Sequence, residues 1–268
     1  MKNYVIGVKT DFNIGAPEFV SPFVQDWFSR LPRELQPDRF GPGEPARLKV
    51  ADVGVEGVIE AWLKSRRPLV LKRVAKPKFQ TTGDWRERKG LDRRLFPWHI
   101  TVWLDPKAGD QLALLLFRFL IERLKPAFGS IAAYEDKREK HFVSLKDRGM
   151  TIESYEGLDV GEKLPGIYWA TYFGEWSLQK LGRDKFAGLP AHRQESVASG
   201  VLVIAYPECS MAGSEQAGRS EDRLLDALGR EHFFNKKEGH QAAVESWAKS
   251  CQSYPGLQKL PHQKEDDL

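Results

Sequence analysis

Between Gln111 and Lys125, apolar side chains recur with a period near 3.6. Leu112, Leu115, Leu116, Phe119, Leu120 and Leu124 share one face, and Arg118, Glu122 and Arg123 break the run. This is the pattern of an amphipathic helix laid on a core, with Asp110 before it as a cap and Pro126 as its stop. The run is far below the roughly 20 apolar residues that span a bilayer. Just upstream, His99–Leu104 (HITVWL) alternates with the period of a half-buried strand. Sheet and helix therefore share one core.

The other segments continue this mixture. Tyr4–Lys9 (YVIGVK) reads as a strand. Ser21-Pro22 sets an N-cap before proline, for a helix to about Leu31 with Phe23, Val24, Trp27, Phe28 and Leu31 inward. Pro32–Pro45 is a connector with four prolines and two glycines. Leu48–Val53 reads as a strand, Val55–Ser65 as a helix with Val58, Ile59, Trp62 and Leu63 inward, and Pro68–Val74 as a strand. Beyond the central helix, Ser130–Tyr134 is a strand, Asp136–Asp147 a polar helix and Met150–Glu162 an acidic connector. Ile167–Phe173 follows as a strand, Ser177–Leu181 as a short helix and Val197–Tyr206 as a long strand. Ala212–Gly218 is a small-residue loop; a helix then starts at Ser220 and ends near Gly229, and His240–Ser250 is a last helix. No regular βα repeat appears. The fold class is α+β: a mixed, largely antiparallel sheet packed with helices. The chain forms a single large domain or two intimately packed halves, 1–150 and 164–250, with a tail at 251–268.

At 268 residues, 41% hydrophobic and 29% charged, the chain has the balance of a globular protein. Its net charge of +4 is too small for a dedicated nucleic-acid binder. The segment MKNYVIGVKTDF has no apolar signal region, so a cytoplasmic location is expected. Cys209 and Cys251 are expected as free thiols. The phosphate-loop, dinucleotide, nucleophile-elbow and zinc motifs are all absent. His99, His141, His192, His232, His240 and His262 never stand at metal-binding helical spacing, and Ser210 and Ser214 have no base near them in sequence. The expectation is a chain without catalysis, cofactor or metal.

Two segments are strongly biased in charge. Lys64–Arg94 holds twelve Lys and Arg against Asp84, Glu87 and Asp92, with Phe79 and Trp85 between them. It reads either as a solvated hairpin kept soluble by charge or as a nucleic-acid track using Arg86, Arg88, Lys89, Arg93 and Arg94. Glu153, Glu156, Asp159 and Glu162 carry the opposite bias around Tyr155. This segment is either a solvated linker or an acidic finger for a cationic cleft. In IYWATYF, Ile167, Trp169, Thr171 and Phe173 share one strand face, and Tyr168, Ala170 and Tyr172 the other. Core packing is the first reading, with one aromatic face open to a partner as the second.

Leu164–Gly174 (LPGIYWATYFG), Leu181-Gly182-Arg183, the Gly200–Tyr206 strand and Ala227–Phe234 (ALGREHFF) follow one another in order. This order resembles the immunity protein 52 family of bacterial polymorphic-toxin and type VI secretion systems. The resemblance covers residues 164–236. It implies a cytoplasmic α+β protein that neutralises a cognate toxin, typically a restriction-endonuclease-like DNase, by stoichiometric binding. It also implies scaffold roles for Tyr168, Trp169, Gly174, Gly182 and Phe233, and interface residues that vary between relatives. The expected contact is Glu153, Tyr155, Glu156, Asp159 and Glu162. The alternative is a nucleic-acid-binding module built on residues 64–94. A membrane is not among the expected partners.

Overall fold

The computed structural model describes residues 3–65, 69–84, 98–147, 150–158, 160 and 163–237. The strands among the described residues are β1 (Tyr4–Thr10), β2 (Arg39–Gly41), β3 (Leu48–Lys49), β4 (Val70–Arg73), β5 (Phe79–Asp84), β6 (Trp98–Leu104), β7 (Phe128–Ala133), β8 (Phe142–Asp147), β9 (Met150–Tyr155), β10 (Ala170–Phe173), β11 (Arg193–Val197) and β12 (Gly200–Ile204). The α-helices are α1 (Pro17–Arg30), α2 (Val50–Lys64), α3 (Gly109–Leu124), α4 (Tyr134–His141), α5 (Glu175–Leu181) and α6 (Glu215–Leu228). Ten strands make one antiparallel sheet in the order β11-β12-β10-β7-β1-β6-β5-β4-β2-β3, and β8 and β9 pair as a separate hairpin. The architecture is α+β. The sheet runs without a break from residues of the first half to residues of the second, through the β7–β10 pairing.

Register explains the two faces. Ile6 stands opposite Val102 and Ile131, and Val8 opposite Ile100 and Gly129, so these side chains share a face. The central helix α3 rests there. Gly129 leaves room for it, since a Cβ at that position would lie 2.9 Å from the Phe117 ring. Rings of Phe23 and Trp27 from α1, Trp62 from α2 and Phe119 from α3 interlock above the same face. The intervening residues Gly7, Lys9, His99, Thr101 and Ser130 point to the other face. Together with Lys137 of α4, they border a cavity of about 100 Å³. The Trp103–Tyr134 ring contact, with centroids 5.8 Å apart, places α4 on this side.

Several expected elements are corrected. Helix α1 begins at Pro17 instead of at Pro22 after a Ser21 cap, so Pro22 lies inside it. Burial of Phe19 and Val20 in the added turn outweighs the hydrogen bond that Pro22 cannot make. The Leu48–Val53 strand shrinks to two residues, because α2 starts at Val50 and bends at Gly54, whose φ is 68°. Leu63 and Leu115 are exposed, at the outer margins of their helical stripes. Asp110 lies inside α3, not at its cap; its carboxylate accepts from Tyr4 Oη at 2.6 Å and from Cys209 N at 3.1 Å, tying helix to sheet. The expected polar helix ends at His141 and becomes β8, while the acidic connector contains β9. The expected Val197–Tyr206 strand is cut to β12: Val197 ends β11, and the β11–β12 hairpin turns at Ala198 (φ 50°) and Ser199. Helix α6 starts inside the expected loop, capped by Ser214 accepting from Ala217 N. The expected His240–Ser250 helix lies outside the described residues.

Candidate functional site

Of the acidic segment, Glu153 and Tyr155 fall in β9 of the β8–β9 hairpin and Glu156 follows directly after it. A two-stranded ribbon is marginal by itself, and this one is fastened at its base. The Phe142 and Tyr155 rings meet edge to face at 5.5 Å, and Arg138 stands 4.7 Å over the Phe142 ring. Glu156 N donates to the His141 carbonyl at 3.0 Å. Glu153 and Tyr155 are exposed, whereas Glu156 is half-buried. Burial and Tyr134 push the Tyr155 phenol up to about 12. Asp159 and Glu162 lie outside the described residues, as do Arg86, Arg88, Lys89, Arg93 and Arg94 of the nucleic-acid track. The described part of the basic stretch includes the β4–β5 pair.

The aromatic segment is core on both faces: residues 167–173 are all buried. No aromatic face is left for a partner, because β10 is flanked in the sheet by β7 and β12 and covered above and below. Trp169 Nε1 donates to the Tyr206 carbonyl at 3.0 Å. Gly174 is a close approach, since a Cβ there would run into the Pro126 carbonyl. Gly182 takes a left-handed φ of 90° between α5 and the next turn. Phe233 is buried where the chain returns to Leu164: Leu164 N donates to the His232 carbonyl and Phe234 N to the Leu164 carbonyl, both at 2.8 Å.

This return closes a cleft of about 430 Å³ against α4 and α6. At its floor is a charged cluster that sequence reasoning missed. Lys140 Nζ donates to the Asp136 carboxylate at 2.9 Å, to Glu221 Oε2 at 2.7 Å and to the Ile167 carbonyl at 2.9 Å. The ammonium also stands 4.9 Å over the Tyr168 ring. Burial raises Asp136 above the ordinary carboxylate range. Burial raises Glu221 to about 7, although Lys140 pulls the other way. Behind them Tyr206 Oη is buried against Glu221. Next in line, His141 is fully buried, with Nδ1 donating to the Glu156 carbonyl at 2.7 Å and Nε2 bonded to Tyr168 Oη. Burial pulls its pKa down to about 4, so the ring is neutral at physiological pH. The i, i+4 spacing of Asp136 and Lys140 was legible on a helix; the arrival of Glu221 from α6 had no sequence signal.

Among the described residues no three His, Cys, Asp or Glu side chains converge to hold a metal, and no helix is long and apolar enough to cross a membrane. Cys209 is a buried free thiol. Ser210 bonds Glu208, and Ser214 serves as the α6 cap.

No protein-family model matches the sequence, and no curated protein sequence does. Membership of the immunity protein 52 family is therefore not established. Among solved structures the fold has a counterpart. The chain is similar to the Pseudomonas aeruginosa T6SS protein PA0821. The TM-score is 0.56 at 15% identity, over 87% of this chain and 76% of that one. At this identity the likeness is one of fold.

Proposed function

We propose that this chain is an immunity protein, a cytoplasmic inhibitor that binds a cognate antibacterial toxin of a type VI secretion system one to one. The observation that carries this reading is the fold shared with a T6SS protein over most of the chain. The order of the Leu164–Phe234 motifs points the same way. The toxin class that follows from the family resemblance is a DNase of the restriction-endonuclease fold. Inhibition consists of docking alone, with no chemistry performed by this chain. The docked protein either covers the nuclease site or holds it misassembled.

The β8–β9 hairpin supplies the contact. Glu153 provides charge that speeds encounter with a cationic cleft, and Tyr155 provides an aromatic anchor that slows release. Co-expression with a candidate toxin encoded beside it, followed by size-exclusion chromatography and a nuclease assay, tests the reading. Stoichiometric co-elution with loss of DNA cleavage is the expected result. Separate elution with undiminished cleavage rejects the pair.

A further inference from the structure

We infer that the cleft between α4, the 163–167 loop and α6 receives an arginine side chain of a protein partner, whose guanidinium docks on Glu221 and Asp136 opposite Lys140. The charged groups that line this cleft are Asp136, Glu139 and Glu221 against Lys140 and Lys236. Three carboxyl groups therefore face two ammonium groups. Lys140 cannot supply the difference: its three N–H donors are already spent on Asp136, Glu221 Oε2 and the Ile167 carbonyl. No donor of Lys140 remains for Glu221 Oε1. The Tyr206 hydroxyl is buried against that carboxylate. Burial, with Asp136 alongside, holds Glu221 at about 7 against the pull of Lys140.

The walls leave room for a long side chain. Gly166, Gly213 and Gly218 all line the cleft, and nothing stands within 4 Å of a Cβ placed at any of them. Gly218 is the telling one. It sits inside α6, where glycine weakens a helix relative to alanine and no positive φ requires it. The missing side chain keeps the cleft open. A guanidinium fits the floor better than an ammonium does, because its planar fork can engage a carboxylate with two N–H groups at once.

The inference rests on the immunity reading only for who supplies the arginine. Its test is independent of that reading. The full-length chain is titrated with Nα-acetyl-arginine methylamide at pH 7.5, followed by NMR, with the lysine analogue as comparison. Saturable binding in the millimolar range is expected for arginine, with the lysine analogue several-fold weaker. Glu221→Gln should weaken the arginine probe by about tenfold, the size of one charge-assisted hydrogen bond lost. Gly218→Leu should abolish binding by filling the cleft, while the melting temperature holds or rises. The inference is overturned if the arginine probe does not saturate, if lysine binds equally, or if Gly218→Leu binds unchanged. Toxin co-elution without arginine-probe binding sinks the cleft and leaves the immunity reading standing; probe binding without co-elution does the reverse.

Discussion

Replacing Glu221 by glutamine should make this protein more stable in mild alkali. The folded chain keeps a proton on Glu221 up to about pH 7, against 4.5 for an ordinary glutamate. The unfolded chain releases that proton near the ordinary value. Between the two values the folded state binds more protons, so stability falls as pH rises. At ~1.4 kcal/mol for each tenfold in proton affinity, the gap corresponds to roughly 3 kcal/mol lost between acid and pH 8. A glutamine resembles the protonated form, keeps an oxygen for Lys140 and leaves Asp136 and Lys140 as a balanced pair. The variant should match the wild type near pH 4.5 and exceed it by roughly 2–3 kcal/mol at pH 8. Asp136 shares Lys140 with Glu221, so the difference between the two proteins reports Glu221 together with its coupling to Asp136. Urea denaturation at closely spaced pH values measures it. Parallel pH curves, or a variant less stable than wild type at pH 8, would refute the argument that burial dominates at this carboxylate.

Other expectations concern the scaffold and the hairpin. Tyr168→Phe strips the fully buried His141 Nε2 of its partner and should cost about 1–3 kcal/mol by denaturation. Gly174→Ala pushes a methyl into the Pro126 carbonyl; a loss of about 3 kcal/mol is expected, and a change below about 1 would show that the backbone yields there. Glu153→Lys with Tyr155→Ala alters exposed positions. It should weaken toxin co-elution, while Glu153→Lys alone, which keeps the Phe142–Tyr155 ring contact, leaves the melting temperature in place; unchanged affinity would remove the hairpin from the interface.

The elements that sequence patterning located are those with one-sided burial. In β6 the residues alternate between buried and half-buried from Trp98 to Leu104, so period two survives in the sequence. In α3 the buried Leu116, Phe119, Leu120 and Leu124 preserve period 3.6, while Leu115 sits outside the stripe. The pattern failed where both faces are alike. Residues 167–173 are buried on every side, so no alternation could mark where β10 begins. The β8–β9 ribbon failed for a different reason. Its charged and apolar residues fit helix, loop or strand equally, and only pairing across the turn, Phe142 with Tyr155 and Ser144 with Glu153, decides the matter. The single strand expected over Val197–Tyr206 is cut by Ala198 at φ 50°, in a conformation that alanine seldom adopts and that composition does not announce.

The sequence by itself determined the α+β class, the central helix, the strands on either side of it and the aromatic segment as core, because these follow from the spacing of apolar side chains along a local element. It could not determine that the sheet joins both halves of the chain, or that Glu221 of α6 meets Asp136 and Lys140 of α4 at the floor of a cleft. Those depend on long-range pairing. The chemistry of that cluster depends on burial as well, since a carboxylate is ordinary in water and reluctant to ionise once the fold has taken the water away.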